Sequence, residues 1–183
     1  NNISPIVSSN GIITDFTGPA GIWVFDGDSV DIDRQNYINI FQANWKQFIE
    51  DGSGFLTYEY ALYDMDNSQY ITPWTQTLDT LCTISDLSLE ENITYNIQIR
   101  GIDSVYNVGE TLISDGVLID LSAPSSPMNL VAWFTSERIF IEWDHNQEVD
   151  LNHYSVYGGT DENPTTLLLT TADSSAEVFM PNF

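Results

Sequence analysis

Apolar and polar positions alternate with period two over short stretches of this chain, and turn-forming residues separate those stretches. Ile22-Trp23-Val24-Phe25 is the first apolar run, and Tyr37 to Trp45 is the second. Asp51-Gly52-Ser53-Gly54 turns the chain into the alternating run Phe55 to Tyr63, and Asp64-Met65-Asp66-Asn67 turns it again. Thr80 to Ile84, Thr94 to Ile102 and residues 111–120 continue the series. Helical periodicity is missing over any useful window, which leaves only Trp45 to Glu50 for a short turn of helix. The expected fold class is therefore all-β, built from antiparallel strands packed as sandwiches.

A repeat sets the register of those sandwiches. Ser9-Asn10-Gly11-Ile12-Ile13-Thr14-Asp15-Phe16-Thr17-Gly18-Pro19 returns as Ser114-Asp115-Gly116-Val117-Leu118-Ile119-Asp120-Leu121-Ser122-Ala123-Pro124, at an offset of 114 − 9 = 105 residues throughout. The match extends back to Asn2 against Asn107. The period is that of one sandwich of about 100 residues. Each copy reads as a last strand with a bend or bulge at its Gly, ending in an Asp-x-[Ser/Thr]-x-Pro linker where Pro stops ladder pairing. The expected organisation is residues 1–18 as the last strand and linker of a preceding module, 19–123 as a complete module, and 124–183 as the front of a further one. A sandwich lacking its closing strands would expose its core face and two unpaired edges.

Trp45 sits late in the second strand, and Leu89 precedes Tyr95, which is followed by alternating Ile97 and Ile99. This pattern resembles fibronectin type III: a core Trp, then a Leu and a Tyr at the corner where the Tyr hydroxyl reaches back to the backbone. Ile139-Phe140-Ile141-Glu142-Trp143 and Asp150 to Tyr157 are similar to strands B and C of the same family, with Leu167 to Thr171 and Ala176 to Met180 as the next strands. The linkers are also similar to those of bacterial immunoglobulin-like repeats. The resemblance implies tandem seven-stranded antiparallel β-sandwiches, the last one incomplete, with Trp45, Leu89, Tyr95 and Trp143 as core. It further implies a structural or adhesive spacer of a large secreted or cell-surface multidomain protein, without catalysis. The alternative is a carbohydrate-binding or spacer accessory module of a secreted polysaccharide-degrading enzyme. The stretches Gly27 to Tyr37 and Asp64 to Thr80 are longer than that pattern needs, and module-specific function is expected there.

Charge narrows the partners. The chain of 183 residues has 27 acidic residues against four Lys and Arg, for a net charge of −23. Such a surface repels phosphate backbones and anionic headgroups, and no apolar run is long enough to span a bilayer, so neither nucleic acid nor direct membrane insertion is expected. The expected partners are neighbouring modules of the same long chain, other surface proteins or polysaccharide. The charge fits three readings: a solvated surface, adaptation to salt, or attraction of divalent cations. The lone Cys82 excludes an intramolecular disulfide and reads as a buried thiol.

Candidate sites follow from that acidity. Asp26, Asp28, Asp31 and Asp33 alternate hard oxygens within one loop, as calcium requires, although Val30, Ile32 and Tyr37 break the EF-hand template. Asp15 and Asp120 hold equivalent places in the two linkers, where they either cap turns or join acids such as Asp51 and Asp103 in a metal-stiffened joint. Calcium is the one cofactor these residues suggest. Asp64 to Ser68 reads as a hairpin turn, since no acid closes it as a calcium loop. Trp23 and Trp74 are either buried or free to stack on sugar rings. His145 and His153 share no scaffold for zinc, and no nucleophile elbow or phosphate-cradling loop is present. Asn92-Ile93-Thr94 fits a glycosylation sequon.

Overall fold

The period-two runs fold as strands. The computed structural model describes residues 4–135 and 137–179, and within them the chain divides into two units, Asn1–Leu121 and Ser122–Phe183. No helix among the described residues is long and apolar enough to cross a membrane. The first unit contains β1 (Val24–Asp26), β2 (Arg34–Gln35), β3 (Phe41–Trp45), β4 (Phe55–Asp64), β5 (Gln69–Tyr70), β6 (Thr75–Thr77), β7 (Leu81–Ile84), β8 (Thr94–Asp103), β9 (Leu112–Ile113) and β10 (Val117–Ile119). The second contains β11 (Val131–Thr135), β12 (Arg138–Glu142), β13 (Tyr154–Gly158), β14 (Thr166–Thr171) and β15 (Ser175–Phe179).

Two sheets face each other in the first unit. One has the order β1-β3-β7, and the other β2-β10-β8-β4-β5, with β6 also on β4 and β9 on β8. All pairings are antiparallel except β2 with β10. Between them lies one apolar core. Phe41, Ala43 and Trp45 enter it from the first sheet, and Tyr58, Leu62, Tyr95, Ile97, Ile99, Val117 and Ile119 from the second. The rings of Trp45 and Phe48 meet that of Tyr58 edge-on at 5.6 and 5.3 Å, the offset geometry that aromatic quadrupoles favour. Because side chains alternate along β8, Asn96, Gln98 and Arg100 fall on the opposite face from Tyr95, Ile97 and Ile99.

The structure redraws several boundaries. Residues 37–40 are not strand: Gln35 is buried, and its side-chain amide donates to the Tyr37 and Ile40 carbonyls at 2.7 and 3.0 Å, so these residues need no ladder. The stretch 111–120 is broken at residues 114–116 into β9 and β10, because the Ser114 side chain accepts from Ile97 N–H in place of a ladder partner. The long connections read from sequence contain β2, β5 and β6, each too short to show a period. Trp45 to Glu50 forms no helical turn, and Ile49 instead bridges Ala20. Residues 4–18 contain no strand.

In the second unit the sheets are β11-β12-β15 and β13-β14. Trp143, Tyr154 and Val156 form its core, with Ile141, Leu151, Leu169 and Ala176 against them. Strand β11 was not legible in the sequence, and every one of its side chains is exposed. Asn2 and Met180, which belong to the repeat and to the last expected strand, lie outside the described residues.

Candidate metal centres

Asp26 ends β1 with its side chain fully buried. Its carboxylate accepts from Ser114 Oγ at 2.7 Å and from Gly116 N–H at 2.9 Å, both donors lying in the break between β9 and β10. Gly116 adopts φ +107, which only glycine takes without strain, and this aims its N–H at Asp26. The loop then folds back, with Asp26 N–H donating to Asp31 Oδ1 at 3.0 Å and Ile32 N–H to the Asp26 carbonyl at 2.9 Å. The result is a trio of Asp26, Asp31 and Asp115, whose oxygens lie within 4.8 Å of one another. Burial pushes the Asp26 carboxyl up to about 6, with the charges of Asp115 and Asp31 adding to the rise against the hydrogen bonds from Ser114 and Gly116. The Asp31 carboxyl is raised as well, mainly by desolvation.

Thus two of the four loop acids come together. Asp28 is exposed and bonds Ser29, while Asp33 contributes its carbonyl to Leu118 N–H. The third member of the trio, Asp115, was missed as a ligand although it stands inside the repeat. The bend expected at Gly116 carries it to Asp26, but which acid such a bend faces has no signal in the hydrophobic pattern.

A second trio joins Asp15, Glu50 and Asp103, again within 4.8 Å. Asp15 Oδ1 accepts from Thr17 N–H and Oγ at 3.0 and 2.9 Å, and Oδ2 accepts from Ser53 N–H at 2.7 Å. These bonds, Thr17 first, hold its carboxyl down at about 2. Glu50 accepts from Gly52 N–H at 2.7 Å. Asp103 ends β8 fully buried and accepts from Val105 N–H, Asn107 N–H and the Asn107 side chain at 2.9, 2.7 and 2.7 Å. Burial works to raise the Asp103 carboxyl, and the Asn107 bonds overcome it and hold the group below its ordinary value. Asn107 also donates to the Asp15 carbonyl at 3.2 Å. Gly109 lies so close to Pro19 that an added Cβ would stand 1.9 Å from the Pro19 carbonyl oxygen. Residues 15–19 are therefore clasped between the 50–53 and 103–109 loops. Glu50 rather than its neighbour Asp51 completes the trio, a choice of one residue that the sequence does not mark.

Asp120 behaves differently from its repeat partner Asp15. It pairs with Arg34 at 3.1 Å, because β2 lies beside β10 and brings Arg34 to the linker. Among the described residues Asp120 belongs to no acidic cluster. The Asp64 carboxylate accepts from the N–H and side chain of Asn67 at 2.9 and 3.0 Å, the bonding of a capped turn. Asn92 lies exposed in a turn at φ +61. His145 packs edge-on to Tyr154 at 6.1 Å, and neither histidine joins an acidic cluster.

Trp23 and Trp74 lie with different sheets. Trp23 precedes β1 and stacks on Phe25 at 4.6 Å. Trp74 precedes β6, and Arg100 lies over its ring at 4.2 Å while two guanidinium nitrogens donate to Glu59 at 3.0 and 2.8 Å. Trp45 and Trp143 are buried, as are Leu89 and Tyr95, and the Tyr95 hydroxyl accepts from Glu90 N–H at 3.1 Å. Cys82 is buried, and desolvation pushes its thiol up to about 12.

No family model matches the chain, and no curated protein matches it. Among solved structures it is similar to the FN1-FN3 domains of chicken CNTN1, at 14% identity and a TM-score of 0.46, over 92% of this chain and 59% of that one. It is similar to a titin module from human cardiac muscle at 17% identity and a TM-score of 0.40, over 56% of this chain and 91% of that one. The twitchin kinase region from C. elegans aligns at 15% identity and a TM-score of 0.42, with 64% of this chain and 19% of that chain covered. The all-β architecture stands on the strand order and register of this chain itself.

Proposed function

We propose that the chain is a non-catalytic structural module of a secreted or cell-surface multidomain protein, and that calcium at Asp15, Glu50 and Asp103 stiffens its leading segment. The observation that carries this reading is the convergence of three carboxylates from three separate segments within 4.8 Å. Calcium takes six to eight hard oxygens in flexible geometry, which carboxylates and water supply together. A cation there would neutralise acids that otherwise repel, and would lock residues 15–19 between two loops that already clasp them. Asp26, Asp31 and Asp115 offer a second place of the same kind, joining the end of β1 to the break before β10. In a chain of net charge −23, relief of like-charge crowding favours the divalent ion. The acids serve loop closure, and the buried Cys82 is held as an unreactive thiol, in keeping with a mechanical role. Neighbouring modules of the same long chain are its partners in this reading.

Calorimetric melting with calcium, magnesium or chelator tests it. Calcium at a hundredfold excess over Kd is expected to add about 2.7 kcal/mol, to be reversed by chelator, and to be matched poorly by magnesium, which demands tighter octahedral geometry. Asp15→Asn with Glu50→Gln is expected to blunt the gain. A wild-type melting temperature indifferent to calcium overturns the metal reading.

A further inference from the structure

In the second unit Ile141 and Ala176, on β12 and β15, pack against the Trp143 core. Residues directly opposite in the register share a face of a sheet, so Trp133, Phe140 and Glu177 stand together on the other face of β11-β12-β15, turned to water. Val131, Glu142 and Ser175 form the next row of the same face. Trp133 is 43% exposed, and its ring stacks on that of Phe140 at 5.7 Å and 12°. An open groove of about 220 Å³ lies here, lined by Trp133, Phe140, Glu142, Ser175 and Glu177. Arg138 pairs with Glu177, and Glu142 has no ion-pair partner among the described residues.

The first unit has a similar arrangement on the water side of β1-β3-β7. Val24 lies opposite the core Trp45, so its neighbours Trp23 and Phe25 point away from the core. Their rings stack at 4.6 Å and 22°. Asn44 stands opposite Phe25, and Gln42 follows on the same face. Asn44 donates to the Gly27 carbonyl at 3.0 Å and Gln42 to Thr83 Oγ at 3.3 Å, which leaves both amide oxygens as acceptors. The water-facing side of an antiparallel sheet is ordinarily polar, yet both units place a stacked aromatic pair there. Both pairs are bordered by hydrogen-bond acceptors.

A sugar ring is the complement of such a surface, with an apolar C–H face to lie on the rings and hydroxyl donors around its rim. A protein partner fits less well, since Glu is depleted at the core of protein interfaces. The net charge of −23 repels nucleic acid and acidic sugars alike. We propose that each unit carries a binding site for a neutral glycan on the water-facing side of its first sheet. The site in the second unit is Trp133 with Phe140, where sugar hydroxyls donate to Glu142 and Glu177. The site in the first unit is Trp23 with Phe25, where they donate to Asn44 and Gln42. The ligand is uncharged, so binding is insensitive to ionic strength. No metal takes part, so binding persists in chelator.

Affinity electrophoresis of the full chain tests the proposal, in native gels containing soluble β-glucan, xylan or galactomannan, with polygalacturonate as the acidic comparison. Retardation is expected in a neutral gel with chelator present, and none in polygalacturonate. Trp23→Ala with Trp133→Ala is expected to raise Kd about tenfold or more, with the midpoint of urea unfolding unchanged. Glu142→Ala alters one exposed acceptor and is expected to weaken retardation by itself, which keeps the test independent of any loss of stability in the tryptophan variant. Free migration in all three neutral gels overturns the proposal. So does retardation that survives the double tryptophan variant, because another surface then binds. Retardation in polygalacturonate overturns the neutral class. Sedimentation velocity showing a dimer that Trp133→Ala dissolves, with no retardation in any gel, assigns the face to a second copy instead.

Discussion

Replacing Asp26 by Asn is expected to flatten the dependence of stability on pH between about 4 and 6. Asp26 is fully buried between Asp31 and Asp115, and its carboxyl is raised from 3.8 to about 6. At about 1.36 kcal/mol per pH unit, that difference corresponds to ~3 kcal/mol. The folded protein keeps this proton to higher pH than the unfolded chain does. Between the two values the native state binds more protons, so stability falls as pH rises. The contribution is fully present below 3.8 and is lost as pH passes about 6. Asn is neutral and nearly isosteric, and the pocket can accommodate its amide. Its oxygen can accept from Gly116 N–H, and its nitrogen can donate to Ser114 Oγ, which turns its own proton toward the Ile97 carbonyl 3.4 Å away.

The assay is urea unfolding at pH 3.5 and at pH 7 in chelator, followed by Trp fluorescence, for both proteins. Any fixed cost of the new hydrogen bonds cancels when the two pH values are compared. The variant is expected to gain ~3 kcal/mol on the wild type between them. Carboxyls held low, such as Asp15 at about 2, act in the opposite sense and below this window, and they cancel between the proteins. A relative gain below ~1 kcal/mol would refute the account of Asp26 as a buried acid destabilised by its own charge.

Tyr95→Phe removes the acceptor for Glu90 N–H while keeping the buried ring, and is expected to cost about 1 kcal/mol in urea unfolding; an unchanged midpoint would show that this bond contributes nothing. Gly109→Ala forces a Cβ against the Pro19 carbonyl and is expected to destabilise the first unit by about 1–3 kcal/mol, measured by thermal melting. Trp74→Ala uncovers Arg100 and is expected to lose about 0.5–2 kcal/mol of stability; if stability is unaffected and retardation on polysaccharide gels is abolished, the ring serves a ligand instead. Cys82, with its thiol at about 12, is expected to resist a thiol reagent at neutral pH until urea unfolds the chain.

The acidic sites were half legible. Asp26 and Asp31 could be read as partners because they lie in one loop, where spacing limits distance. Asp115 and Glu50 could not, because they reach their trios through the break before β10 and the bend after β3. Asp120 shows the converse: its repeat position equals that of Asp15, yet the parallel pairing of β2 supplies Arg34 and makes the same residue an ion-pair partner.

By itself the sequence determined the all-β class, the core positions on the long strands and the repeat. Those are carried by side-chain alternation, which the chain must satisfy locally wherever one face of a strand is buried. The tertiary structure decided which strands are interrupted, which carboxylates meet and which apolar residues stay in water. Such contacts depend on segments far apart in sequence, and Asp26 makes the point. It is buried against Ser114 and Gly116, 88 and 90 residues away, because the end of β1 and the break before β10 meet only when the two sheets close on one core.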